Sequence, residues 1–166
     1  MLAANHVSNF DPWALGMALW PRYRLRWMAK IEVFRSILKP ILLHGGAFPV
    51  RRGESDTTAI RTAIEVVRDG YVLVMFPEGT RRAKGLRKKR SPRPHTGTAR
   101  IALAAKAPLV PAAISGTDRL SRLGPLRVAY GRPVALDDLS AHDNKQAAEI
   151  ATARLMDAIA ELEATL

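Results

Sequence analysis

Tyr71-Val72-Leu73-Val74-Met75-Phe76-Pro77-Glu78-Gly79-Thr80-Arg81 runs from six consecutive apolar residues straight into an ionisable turn. An unbroken apolar run of this length is what a strand covered on both faces requires, and such strands belong to parallel sheets. Just before it, Thr57–Arg68 sets Ile60, Ala63, Ile64 and Val67 on one helical face, with Gly70 closing the helix. Helix, buried strand and polar loop in succession form the repeating unit of an α/β sheet.

The same alternation extends in both directions. Met1–Ala4 reads as the end of a strand. Asp11 reads as an N-cap, with Pro12 opening a helix to Trp20. Arg24–Met28 predicts a strand, Val33–Leu43 a helix interrupted at Pro40, and Ala47–Arg51 a strand entered through the Gly45-Gly46 turn. Downstream, Gly97–Lys106 is Ala-rich and helical, and Leu109–Ile114 and Leu126–Tyr130 are further strands. From Lys145 onward, Ala148, Ala151, Leu155, Ile159, Leu162 and Leu166 fall on one stripe. No repeat, low-complexity tract or linker divides the chain. The expectation is one domain over residues 1–166, a mostly parallel central sheet flanked by helices, with its motifs in residues 5–133 and an amphipathic helix at about 145–166.

Composition narrows the chemistry. The 166 residues contain no cysteine, which excludes disulfide scaffolds, thiolate metal sites and an acyl-cysteine intermediate. No apolar run reaches the ~18–20 residues of a membrane-spanning helix, and the polar Asn5-His6 pair follows too early for a signal peptide. The 26 Lys+Arg outnumber the 15 Asp+Glu, for a net charge of +11. Residues 1–132 hold 24 of those cations, and Arg81–Arg90 alone holds seven with no acid. An exposed basic loop of this kind suits an anionic partner, whether nucleic acid, membrane surface or phosphorylated substrate.

Three strand ends carry ionisable groups: Asn5-His6-Val7-Ser8-Asn9-Phe10-Asp11, Gly46-Ala47-Phe48-Pro49-Val50-Arg51-Arg52, and Phe76-Pro77-Glu78-Gly79-Thr80-Arg81. Each has a plain structural explanation, with His6 a bonded loop residue, Asp11 a helix cap, and Glu78 and Arg81 an ion pair across a turn. Together they suit catalysis better. A carboxylate five residues from a histidine can accept one imidazole N–H and leave the other nitrogen as a base, near neutral pH. Gly79 permits close backbone approach, and Arg81 offers a planar, multi-donor cation to a phosphate. Glu78 is suited to holding an arginine or receiving a substrate hydroxyl.

These stretches resemble the glycerolipid acyltransferases of the 1-acylglycerol-3-phosphate type. Residues 5–11 match that family's first motif, a His and an Asp separated by four residues, and residues 76–81 match its third. Phe48 through Arg51 is similar to the second motif, and Val110-Pro111-Ala112-Ala113-Ile114 to the fourth. The resemblance implies that fold and the transfer of a fatty acyl group from acyl-CoA or acyl-carrier protein to a lysophospholipid hydroxyl. It makes His6 the general base and Asp11 its orienting carboxylate. It assigns Glu78, Gly79, Thr80 and Arg81 to the acceptor, with Arg51 as a second phosphate contact. Neither metal nor cofactor is implied, and backbone amides near the first helix would meet the oxyanion. Ser8 lacks the elbow of a covalent nucleophile.

The sequence departs from the family in three places. The family carries a longer segment before its His motif, so the first strand is expected to be truncated and the chain catalytically impaired if nothing compensates. Pro49 stands where an aliphatic residue is common, and His95-Thr96-Gly97 replaces an aromatic–Lys–x–Gly pattern. The rival class, a basic nucleic-acid-binding module, would explain Arg81–Arg90 but leaves His6, Asp11 and residues 76–81 without a role. Scattered His6, His44, His95 and His142 do not build a metal hydrolase. An amphiphilic acceptor implies an anionic membrane surface as partner and a cytoplasmic, peripheral location on the inner face of the membrane. Trp13, Leu15, Met17, Leu19 and Trp20, with Arg22–Arg26, are the expected interfacial patch.

Overall fold

The computed structural model describes residues 1–50, 57–82, 94–122 and 124–166. Six strands form one sheet: β1 (Leu2–Ala4), β2 (Leu25–Lys30), β3 (Ala47–Val50), β4 (Val72–Met75), β5 (Val110–Ser115) and β6 (Arg127–Tyr130). Their order is β3-β2-β4-β1-β5-β6. Every pairing is parallel except that of β5 with β6. The helices are α1 (Asp11–Met17), α2 (Lys39–His44), α3 (Thr57–Arg68), α4 (Gly97–Ala105) and α5 (Asn144–Glu163). The architecture is therefore α/β, with a mixed, largely parallel sheet flanked by helices.

Alternation along β1 divides the core between the two faces of the sheet. Leu2 and Ala4 pack with Ala14 and Leu15 of α1, Trp27, Val74 and Ile114. Ala3 faces the opposite layer, with Ala102 of α4 and Leu155 and Ile159 of α5. The small residues Ala3, Ala4, Ala112 and Ala113 are fully buried, which lets helices approach the centre of the sheet closely. The stripe read from Lys145 onward begins one residue earlier, at Asn144, because the carboxylate of Asp143 accepts the amides of Lys145 and Gln146 at 2.9 and 2.8 Å.

Two local expectations are corrected. Val33–Leu43 is not one helix broken at Pro40. A 3₁₀ turn over Ile31–Arg35 ends at Ser36, and Pro40 sits in the first turn of α2, where its missing N–H has no partner to lose. Leu15 does not belong to an interfacial patch, because it is wholly inside the core. The strand beginning at Ala47 is described to Val50; Arg51 and the stretch 83–90 lie outside the described residues.

β1 is central. Its partners pair Ala3 with Met75 of β4 on one side and Ala4 with Ala112 of β5 on the other. The loops leaving β4, β1 and β5 therefore emerge side by side at one edge of the sheet, where open α/β folds gather their chemistry.

Candidate active site

The loop after β1 is built around one buried carboxylate. Asp11 is fully buried, and burial obliges its oxygens to find donors. Oδ2 meets His6 Nδ1 at 2.7 Å and accepts the backbone N–H groups of Val7 at 2.7 Å and Ser8 at 2.9 Å. Oδ1 accepts the hydroxyl of Thr117, just beyond β5, at 2.5 Å. Asp11 is thus not the N-cap of α1. That position belongs to Phe10, which caps nothing with its side chain, and the Asp11 carboxylate turns back into the loop instead.

An acceptor at Nδ1 sets the imidazole proton on that atom and leaves the Nε2 lone pair for a substrate. The ring stacks on Phe76, with centroids 4.1 Å apart and planes 17° from parallel. Stacked on Phe76 and held at Nδ1, His6 has its rotational freedom reduced. Asn5 fixes the base of the loop. Its buried amide donates to the Ile114 carbonyl at 2.9 Å and accepts the Ile114 N–H at 2.8 Å, so a side chain continues the β1–β5 ladder.

The loop after β4 holds a second buried carboxylate. Glu78 is 3 % exposed, and its partner is Arg82 rather than Arg81. Arg82 Nε lies 2.9 and 3.0 Å from the two Glu78 oxygens, and Nη2 lies 2.5 Å from Oε1. The Glu78 bonds hold the Arg82 guanidinium pKa above its usual value against the opposing effect of burial. Arg81 and Thr80 are exposed, and Arg81 has no ion pair among the described residues. Gly79 has φ +68, and a Cβ there would lie 2.6 Å from the ring of His95. The positive φ favours glycine at that position, and a side chain there would also have to displace the His95 ring.

Four amides near the start of α1 are already engaged: Val7 and Ser8 with Asp11, Phe10 with the Ser8 hydroxyl, and Asp11 with the Ser8 carbonyl. The Ser8 hydroxyl is an acceptor within its own turn. The site therefore brings together His6, Asp11, Phe76, Glu78 and Gly79. Asn5, Thr117 and Arg82 support it, and local sequence assigned no work to any of those three. Thr117 has no signal near the motifs, and two adjacent arginines give no means of telling which turns inward.

A histidine fixed by a buried carboxylate at the carboxyl edge of a parallel sheet is suited to taking a proton from a hydroxyl. Residues 1–115 match the family described as Acyltransferase, and the chain belongs to that family. It is 33% identical over 171 residues to the 1-acyl-sn-glycerol-3-phosphate acyltransferase of Bacillus subtilis (strain 168), covering 98% of this chain and 80% of that protein. It is 28% identical over 144 residues to the enzyme of the same name from Streptococcus pneumoniae (strain ATCC BAA-255 / R6), covering 84% of this chain and 51% of that protein. The chain is an O-acyltransferase by this membership.

Proposed function

We propose that the chain transfers a fatty acyl group from acyl-CoA or acyl-carrier protein to the free hydroxyl of 1-acylglycerol-3-phosphate. The observation that carries this reading is the His6–Asp11 pair, with Nδ1 engaged at 2.7 Å and the carboxylate held by three further donors. His6 Nε2 takes the hydroxyl proton as the substrate oxygen attacks the thioester carbonyl carbon. The C–S bond then breaks, and the imidazolium returns its proton to the leaving thiolate. Ester and thiol are the products, with no covalent enzyme intermediate. Asp11 stabilises the imidazolium while it exists.

Arg81 receives the acceptor phosphate, since Arg82 is committed to carboxylates. Gly79 and Thr80 flank it, and Glu78 acts by holding Arg82. Arg51, outside the described residues, is assigned as the second phosphate contact on family resemblance alone. The relatives' names support lysophosphatidate as the acceptor.

The acceptor is an amphiphile, and we assign the protein a peripheral place on the anionic inner face of the membrane. Among the described residues no helix is long and apolar enough to cross a membrane. Phe10, Met17 and Trp20 of the α1 region are exposed, as are Val33, Ile37 and Ile41. The Trp13 ring lies against Gly45, where a Cβ would sit 2.2 Å from it, joining α1 to the end of α2. Leu19 packs partly against the core and contributes less than its sequence position implies.

Thioester consumption across a panel of lysophospholipids and both donor carriers tests the activity. His6→Ala is expected to lose ~10²–10⁴-fold in kcat. Arg81→Ala should raise the acceptor KM about tenfold while sparing that of the donor. Full turnover by His6→Ala refutes the assigned base, and an effect confined to the donor refutes the phosphate assignment.

A further inference from the structure

Arg82 lies between two carboxylates brought from distant parts of the chain. Beyond its bonds to Glu78, Nη1 donates to Glu163 Oε1 at 2.6 Å and Nη2 to Glu163 Oε2 at 3.0 Å. Glu163 is the last residue of α5, and 81 positions separate it from Arg82. The backbone N–H of Arg82 donates to the carbonyl of His6 at 2.9 Å. One residue therefore touches the end of α5, the buried carboxylate of the β4 loop, and the backbone of the base itself.

A single guanidinium neutralises Glu78 without help. A second carboxylate adds no charge balance and leaves the cluster with a net negative charge. What it adds is geometry. Glu78 grips the Nε–Nη2 edge and Glu163 the Nη1–Nη2 edge, so the plane of the guanidinium is held from two sides. With its side chain clamped at both edges, Arg82 presents its main-chain N–H to His6 from a fixed position.

We infer that Glu163 is a positioning residue for catalysis: through Arg82 it sets the carbonyl of His6 and the carboxylate of Glu78. α5 lies beyond the residues 1–115 that match the family, so no motif of that match contains it. The inference rests on His6 being the base. It differs from a mere anchoring of α5 because its effect reaches the β1 loop.

The test compares Glu163→Ala and Glu163→Gln with Glu161→Ala, an exposed acid on the same helix end, and with His6→Ala. Amide exchange at Arg82 and residues 6–8 is read by NMR, with kcat and KM for donor and acceptor measured alongside. Glu163→Ala should speed exchange of the Arg82 amide severalfold and lower kcat about five- to tenfold with the donor KM within twofold. Glu163→Gln, which keeps one acceptor oxygen, should fall between, and Glu161→Ala should match the wild type. Unchanged Arg82 exchange in Glu163→Ala overturns the inference whatever the activity. So does an unchanged kcat when His6→Ala is inactive. Full activity in His6→Ala overturns the base assignment instead, and the exchange measurement still decides whether Glu163 governs the loop.

Discussion

Thr117 and His6 grip opposite oxygens of one carboxylate: the Thr117 hydroxyl bonds Asp11 Oδ1 and the His6 ring meets Oδ2. The loop after β1 is thereby tied to the end of β5, and the orientation of the proposed base depends on a residue 106 positions from Asp11.

Thr117→Val keeps the shape of the side chain but strands a buried carboxylate oxygen. Loss of such a partner costs about 1–3 kcal/mol, and a chain of this size should melt roughly 2–4 °C lower for each of those kcal/mol. The kcat should fall about tenfold, because Asp11 gains freedom to turn away from Nδ1. Thr117→Ser, which retains the hydroxyl, should recover most of the rate. Equal rates for Val and Ser would dismiss the link.

Gly79→Ala and Gly70→Ala form a matched pair. Both sites have positive φ, +68 and +84, but a Cβ at Gly70 meets nothing within 4 Å whereas at Gly79 it strikes His95. Gly70→Ala should cost about 1–2 kcal/mol in urea denaturation, the backbone penalty alone. Gly79→Ala should cost more, and His95→Ala in the same chain should reduce the excess to the Gly70 level. Equal costs for the two single variants would show that the His95 contact is relieved without strain.

Co-sedimentation with phosphatidylcholine vesicles, with and without phosphatidylglycerol, tests the membrane assignment. Binding should favour the anionic vesicles and weaken with salt, since each cation near such a surface adds ~1 kcal/mol. Ile37, at 93 % exposure, and Ile41 are free of core packing, so Ile37→Asp with Ile41→Asp should leave the fold intact and lower vesicle binding several-fold. Stronger binding to oligonucleotides than to anionic vesicles at equal salt would favour the nucleic-acid reading.

The fold was legible wherever one physical demand dominated a stretch. Val72–Met75 had to be buried on both faces, and α3 and α5 carried unambiguous stripes. Legibility failed where a residue served a distant partner. Asp11 looks like a helix cap locally, and its pairing with His6 is readable from their spacing, but the hydroxyl of Thr117 that holds its other oxygen is not. Leu15 looks interfacial beside Trp13 and Met17, yet the rotation of a short helix buries it. Arg81 and Arg82 are chemically identical, and one of the two carboxylates that Arg82 meets, Glu163, lies outside any window around residues 76–81.

The three-residue strand β1 pairs on both sides with segments made much later in synthesis. His6 and Asp11 therefore leave the ribosome as an unsupported turn, and the amide of Asn5 has no Ile114 to bond. The full set of bonds to Asp11 forms only when β5 and Thr117 arrive, and on our inference the proposed base reaches its final setting when α5 closes on Arg82. Long-range closure of this kind is slow. A nascent chain that already carries His6 should thus be inactive until nearly all of the described fold is in place.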